Sequence, residues 1–489
     1  MPYQDTRLVV VSNRLPVAVE GAGPQARITA GKGGLVTALA PVLRDRGGVW
    51  IGWSGAPGQT GLEGPLRAFS EEAGYSLHTV ELTEGEVQGF YLGFSNEVVW
   101  PLFHDFQSRC NFVPGYWRSY LEVNRKFAAA ITRHSRRDDY VWVHDYHLMH
   151  VARMLREQGE ERRLGFFLHI PFPPPDIFFK LPWRSEVIRA LAEFDMVGFQ
   201  TIRDRRNFLH CLAMLCPESR TLGRGPVMTA AVGERKVRVG YFPISIDFRD
   251  FSSRARTPRA AEAAAALQGD LRHRTIVLGA DRLDYSKGIP QRFEAMRSLL
   301  SRYPELRNRI SLLQIVVPSR EDLPEYQAMK EEIDRLAGDI NSQFGEPGYM
   351  PIQYLYRNLD RDELVAAYRA AGIGLVTPLR DGMNLVAKEY CACNIDEQGV
   401  LILSEFAGAA AQLQGGALLV NPYDVEGVAD AMRQAILMAP AERRARMHRM
   451  RAGVRRYDIF WWVDSFIQAA FGRHLEEFPQ AEMAYHAER

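Results

Sequence analysis

The sequence predicts an α/β protein made of two Rossmann-like domains with parallel sheets. Three observations carry this. Short apolar runs alternate with longer helical stretches along most of the chain, the pattern of βαβ units. The runs are continuously apolar rather than alternating, so the sheets are expected to be covered on both faces. The chain has 489 residues, more than one hydrophobic core usually organises, so two or three domains are expected.

In the first half the strand-like runs are Leu8–Val11, Tyr140–Val143, Leu164–His169, Asp195–Phe199 and Val237–Phe242. The second half offers Thr275–Ala280, Leu312–Val317, Ile352–Tyr356, Ile373–Thr377, Val400–Leu403 and Ala417–Val420. Between the halves, Pro243–Arg274 is polar and rich in Arg and Ala, and a fresh strand follows it directly. The boundary is therefore placed there. Residues 1–243 form the first domain and 244–456 the second, with a cleft between them. Residues 457–489 form a helix and tail, and the helix, rich in aromatics (Phe460, Trp461, Trp462, Phe466, Phe471), is expected to return to the first domain.

Composition narrows the function. Hydrophobic residues make up 46% and charged residues 24%, ordinary for a globular protein. The net charge of +1 gives no electrostatic case for nucleic acid or an anionic membrane. Any anionic ligand must be held by local clusters. Five cysteines, Cys110, Cys211, Cys216, Cys391 and Cys393, match no zinc or redox spacing, which points to a reducing, cytoplasmic setting. The N-terminus passes straight into a strand and is expected to carry no signal peptide, and no apolar run is long enough to span a bilayer.

Two clusters in the second half have the chemistry of an anion site. Arg380-Asp381-Gly382-Met383-Asn384-Leu385-Val386-Ala387-Lys388-Glu389 follows the strand-like run Ile373–Thr377. A strand, a glycine turn and a helix N-terminus direct free N–H groups and the helix dipole at one point. Glu389, further along, is placed to accept hydrogen bonds from ribose hydroxyls. An ordinary turn before a charged surface helix has the same pattern, so this segment alone does not decide. The second cluster is Asp281-Arg282-Leu283-Asp284-Tyr285-Ser286-Lys287-Gly288, after the run Thr275–Ala280. Arg282 and Lys287, in a loop at the carboxyl end of a strand, can both reach one diphosphate.

Four features stand out in the first half: Ser12-Asn13-Arg14 after the first strand, Gly31-Lys32-Gly33-Gly34-Leu35 before a helix, His144-Asp145-Tyr146-His147, and His169 ahead of a proline run. The glycine loop lacks P-loop spacing, so its glycines read as positions where backbone approaches a ligand closely. The histidine run lacks H-E-x-x-H spacing and a second carboxylate, which argues against a metal. Asp145 reads as an acceptor for sugar hydroxyls. Trp50, Trp53, Tyr91 and Trp100 offer faces on which sugars stack, with core packing as the alternative for each.

Nine segments together resemble trehalose 6-phosphate synthases, retaining glycosyltransferases of the GT-B type, in which two Rossmann-like domains face each other across a deep cleft. They are VVVSNRLP, GGL, FSNEVVWPLFH, VWVHDYHL, GFFLHIPFP, DRLDYSKG, PSR, TPLRDGMNLVAKEY and LSEFAGAA. The resemblance runs from about Leu8 to about Phe471. It implies an acceptor site for glucose 6-phosphate at Arg14, Tyr91, Trp100, Asp145 and Arg320, with the two arginines on the phosphate. It implies a nucleotide-sugar site at Gly33, Gly34, Arg282, Lys287, Leu359, Asp381, Leu385, Val386, Ala387, Lys388 and Glu389. His169 matches a position near the reacting sugars, and Asp381 one that contacts donor glucose. Leu359 stands where some relatives carry an aromatic residue.

The implied reaction moves glucose from UDP-glucose, or another nucleotide-glucose with guanosine or adenosine, to glucose 6-phosphate. Retention without a placed nucleophilic carboxylate fits a front-face route, with Asp145, His169, Arg282 and Lys287 as the catalytic set and no metal or other cofactor. Closure of the cleft is expected to exclude water. Arg14 distinguishes the chain from glucosylglycerol-phosphate synthases, which typically lack the SNR run. Pseudo-glycosyltransferases that couple cyclitols share the scaffold. A non-catalytic sugar-sensing subunit is disfavoured by the intact site clusters. The expected partners are the two substrates, with neither nucleic acid nor membrane, and homo-oligomers are compatible with the sequence.

Overall fold

The computed structural model describes residues 6–21, 23–31, 34–271, 274–320 and 324–472. They form two compact units. One comprises the described residues up to Ile244 together with those from Phe460, and the other is Ser245–Ile459.

The strands of the first unit are β1 (Leu8–Arg14), β2 (Val17–Glu20), β3 (Arg27–Ala30), β4 (Val49–Trp53), β5 (Ser76–Thr79), β6 (Tyr140–His144), β7 (Arg163–Phe167), β8 (Met196–Phe199), β9 (Arg220–Leu222), β10 (Val227–Val232) and β11 (Arg235–Tyr241). Nine of them make one sheet in the order β5-β4-β1-β6-β7-β8-β11-β10-β9, and β2 and β3 make a separate antiparallel pair. From β5 across to β11 every pairing is parallel, and β10 and β9 add an antiparallel edge. The central strands β4 and β6 are buried along their whole length, as sheets with helices on both faces require.

The helix Ile459–Ala470 packs on this sheet. Phe466 stacks on Trp142 of β6 with ring centroids 4.3 Å apart, and Trp462 lies 5.0 Å from the same ring. A stacked pair of this kind adds about 0.5–1.5 kcal/mol beyond the area it buries.

In the second unit the strands are β12 (Thr275–Arg282), β13 (Ile310–Val317), β14 (Ile352–Tyr356), β15 (Ile373–Val376), β16 (Val400–Ser404) and β17 (Leu418–Val420). They pair in the order β14-β13-β12-β15-β16-β17, all parallel. That is the doubly wound order, in which the chain runs outward to one side and then to the other. The α/β class and the parallel sheets expected from the sequence are both present.

Strand ends differ from the sequence expectation in ways that matter for the site. Ser12, Asn13, Arg14, His144 and Arg282, expected in loops, are the last residues of their strands. The strands β4, β5, β9 and β10 and the β2–β3 pair have no counterpart in the sequence reading. β9 is exposed throughout and β10 mostly half-buried, so neither leaves an apolar signature. In β4 three of five residues are Trp or Gly, which masked a fully buried strand.

Candidate active site

In each unit the strand order reverses at one point, between β1 and β6 in the first and between β12 and β15 in the second. Ligands in such sheets bind beyond the carboxyl ends of the strands at that reversal. The sequence clusters lie there.

In the second unit Arg282 ends β12 with its side chain exposed. A single 3-10 turn, Tyr285–Lys287, follows and leads into the helix Ile289–Arg302. The amide of Leu379 donates to the Ser286 carbonyl at 2.7 Å, joining this turn to the segment after β15. Lys287 Nζ then meets Asp381 Oδ2 at 2.6 Å, and Asn384 Nδ2 donates to the same oxygen at 3.1 Å. Asn384 has φ of +74°, and its Oδ1 caps the helix Leu385–Cys393 at the Ala387 amide. Gly408 permits this turn, because a Cβ there would overlap the Gly382 carbonyl.

Beneath the turn lies Arg292, which the sequence reading overlooked. Its guanidinium is fully buried and donates to Asp281 at 2.6 Å, Gln314 at 2.8 Å and Thr377 at 3.3 Å. It thereby ties β12 and β13 to the residue that follows β15. The available signal was an arginine at a core position of an apolar stripe formed by Ile289, Phe293 and Met296.

Asp284 is buried and accepts from the Ser286 amide at 2.9 Å and from Tyr326 Oη at 3.3 Å, with Arg320 Nη1 at 3.5 Å. Burial alone would raise its pKa, but Arg320, Lys287 and Arg282 outweigh that and hold the carboxyl below its usual range. Around this carboxylate and Asp381 stand the cations Arg282, Lys287 and Arg320, so the cluster retains positive charge. Arg320 has φ of +52°, a conformation uncommon for a residue with a side chain.

The helix Leu385–Cys393 brings its unsatisfied first-turn N–H groups to the same place. Leu385 and Val386 are half-buried there, and Ala387 is buried. Lys388 is buried with Nζ donating to Gln412 at 2.6 Å, and burial pushes its ammonium down to about 7. Glu389 is half-buried and accepts from Tyr368 Oη at 2.7 Å, and burial raises its carboxyl. Leu359 lies half-buried between β14 and the helix Arg361–Ala370.

In the first unit the pairing of β1 with β4 is irregular between Val11 and Arg14. Ser12 Oγ accepts from Trp50 Nε1 at 2.8 Å and donates to the Arg14 carbonyl at 2.7 Å, holding the strand end. The exposed Arg14 guanidinium lies 4.2 Å from the Trp53 ring centre and 5.5 Å from that of Tyr91. Gly55 makes room, since a Cβ there would overlap the guanidinium. Trp50 thus supports the backbone, while Trp53, with Tyr91, forms the seat of Arg14. Tyr91 belongs to the wide helix Val87–Val99, built with π-type bonding, a geometry frequent at functional sites. Trp100 follows directly, buried, with its ring 4.1 Å from that of His104.

Asp145, just past β6, has φ of +73° and ψ of 165°. Its Oδ1 accepts from the His169 amide at 3.3 Å. A non-glycine residue held there is strained, and such strain gathers at functional sites. His169 is half-buried, with Nε2 3.2 Å from Nδ1 of His144, and burial pushes its imidazolium down to about 3. Gly34 begins the helix Gly34–Arg46, and Gly33 lies outside the described residues. Among the described residues no group of three or more His, Cys, Asp or Glu is arranged to hold a metal ion, and no helix is long and apolar enough to cross a membrane.

The glycosyltransferase family 20 model matches residues 6–471. A trehalose-6-phosphate synthase of Mycobacterium sp. (strain JLS) is 44% identical over 471 residues, covering 95% of this chain and 96% of that protein. A crystal structure of a UDP-forming α,α-trehalose-phosphate synthase from Burkholderia xenovorans, in complex with glucose-6-phosphate, has a TM-score of 0.86 at 35% identity and covers 95% of this chain and 100% of that one. The E. coli protein bound with UDP-2-fluoro glucose has a TM-score of 0.85 at 37% identity, over 96% and 99% of the two chains. This chain belongs to glycosyltransferase family 20.

Proposed function

We propose that this family 20 glycosyltransferase moves glucose from UDP-glucose to glucose 6-phosphate with retention, giving α,α-trehalose 6-phosphate and UDP. The observation that carries it is the cationic cluster at the β12–β15 reversal, where Arg282 and Lys287 stand beside a helix N-terminus. The named relatives support the same reading.

The nucleotide-sugar site comprises Arg282, Lys287, Leu359, Asp381, the segment Leu385–Glu389 and the glycines Gly33 and Gly34. Arg282, Lys287 and the first-turn amides face the charge that grows on the leaving diphosphate, and preorganised groups of this kind are often the largest catalytic contribution. Lys388 and Ala387 serve through their backbone, since both side chains are buried. Asp381, oriented by Lys287 and Asn384, accepts hydrogen bonds from the donor glucose. Glu389, with one oxygen on Tyr368, offers the other to the ribose.

The acceptor site comprises Arg14, Tyr91, Trp100, Asp145 and Arg320. Arg14 presents a planar fork suited to a phosphate, and its aromatic seat keeps that fork in one orientation. Asp145 accepts from acceptor hydroxyls, and His169 lies next to it. Leaving diphosphate oxygen takes the proton of the attacking hydroxyl, so no protein nucleophile and no metal is required. We place the enzyme in the cytoplasm, in keeping with five free thiols.

The test is direct. The protein is incubated with glucose 6-phosphate and, in turn, UDP-, GDP- and ADP-glucose, and the product is identified by NMR. An α,α-linked disaccharide phosphate formed fastest with UDP-glucose is expected. A folded protein that makes no such product from any donor would sink the proposal.

A further inference from the structure

We infer that His144 is a positioning residue that donates from Nδ1 to His169 Nε2, so that His169 meets the substrates as a neutral Nδ1–H hydrogen-bond donor. This rests on the reading that His169 lies at the sugar site.

The argument starts from proton counting. A neutral imidazole has one N–H and one bare nitrogen. Nδ1 of His144 and Nε2 of His169 are 3.2 Å apart, so exactly one of the two carries the shared proton. Burial holds both rings neutral, far below the ordinary histidine range. The other nitrogen of His144, Nε2, is sealed from solvent, and no described group hydrogen-bonds to it. The rings against His144 are those of Trp142, at 4.7 Å, and Trp462, at 6.3 Å, whose only polar atoms are N–H donors.

Two arrangements are possible. If His169 donated, the proton of His144 would sit on Nε2, a buried N–H with no acceptor. Orphaned buried N–H groups are rarer than under-satisfied acceptors, so the arrangement that leaves a bare nitrogen on His144 is the favoured one. The proton therefore sits on His144 Nδ1. His169 accepts at Nε2 and carries its own proton on Nδ1, the nitrogen left for a ligand. In that state His169 can donate to a sugar or phosphate oxygen but cannot act as a base. The strand end fixes the partner: His144 closes β6, while His169 follows β7 and gives its amide to Asp145.

The tautomer is read in the wild-type protein by ¹⁵N NMR of histidine-labelled enzyme. His169 is expected to show a protonated Nδ1 and a bare Nε2, and His144 the same. A protonated Nε2 on His169 overturns the inference and leaves the proposed reaction standing. If instead the enzyme makes no disaccharide phosphate, the reaction falls while the tautomer is still decided. Two variants test the positioning role. His144→Asn keeps an N–H near the position of Nδ1, and His144→Leu removes it. The Leu variant is expected to lose about tenfold in kcat, roughly one hydrogen bond, and to change the His169 ¹⁵N signals, with Asn recovering most of both. Equal losses in Asn and Leu with unchanged His169 signals would overturn it.

Discussion

The two units share a sheet order and a reversal point, yet they furnish their sites with opposite chemistry. The second unit gathers Arg282, Lys287 and Arg320 around two carboxylates and a helix N-terminus. The first lines its reversal with one acidic residue, the strained Asp145, two uncharged histidines and a single guanidinium laid on aromatic rings. The scaffold fixes where a ligand binds. The residues at the strand ends decide whether that place stabilises a leaving diphosphate or recognises a sugar phosphate.

Four experiments press on this contrast. The largest effect is expected in the second unit. Arg282→Ala should lower kcat by about 10²- to 10³-fold, the range for losing one preorganised donor. Because Arg282 is exposed at a strand end, the melting temperature should stay the same. Near-normal turnover in a folded variant would remove the cations from the mechanism. Lys287→Ala should cost as much in kcat, and some stability too, because it removes the ammonium that meets Asp381 Oδ2.

Arg14→Ala should separate the units kinetically. A lost charge-assisted contact of about 1.5–3 kcal/mol is roughly ten- to a hundredfold in affinity, so KM for glucose 6-phosphate should rise by that factor with donor KM nearly unchanged. Gly55→Ala should reproduce the effect in part, by displacing the guanidinium. Unaltered acceptor KM together with a lower melting temperature would make Arg14 a structural residue.

Acid should loosen the first unit before the second. Burial lowers His78 to about 4 and both His150 and His169 to about 3, and it lowers His144 as well, all in the first unit. Unfolded, each titrates near 6.5, so below that pH the unfolded chain binds protons the folded one refuses. The stability these groups allow is complete above about 6.5 and is lost as pH falls toward 3. For a fully buried ring such as His150 the slope is about 1.4 kcal/mol per pH unit. Asp284, in the second unit, has the same sign but a more acidic window. Its folded carboxyl lies below the usual 3.8, so its contribution is present above that value and fades only at lower pH. Hydrogen exchange between pH 7 and 5 should show protection falling first in the first unit. Simultaneous loss in both would contradict this.

The smallest effect is expected from chelation. With cations and helix amides facing the diphosphate, activity should survive thorough EDTA treatment. Loss restored by a divalent ion would place a metal in the second unit's site.

Much of this was legible in one dimension. Apolar runs mark strands wherever both faces are covered, which is why β12, β13, β15 and β16 could be read directly. Local turns that carry chemistry, such as Asp281–Gly288 and Arg380–Glu389, are contiguous, so the cations of the second site appear together in the sequence. β4 was hidden because its tryptophans read as ligand-stacking residues, and the exposed β9 carries no apolar signal at all.

What only tertiary structure decided are pairings between residues far apart in the chain. Lys287 and Asp381 are 94 positions apart, Arg292 and Thr377 85, and His144 and His169 25. Periodicity reports which face of an element is buried, but not which side chain waits on the other side. The sequence therefore determined the sheets, their covered faces and the residue types at the strand ends. Folding decided that Trp53 would seat Arg14, that Arg292 would join three neighbouring strand segments, and that two neutral histidines would share one proton, because those outcomes depend on distances set only when the strands pack side by side.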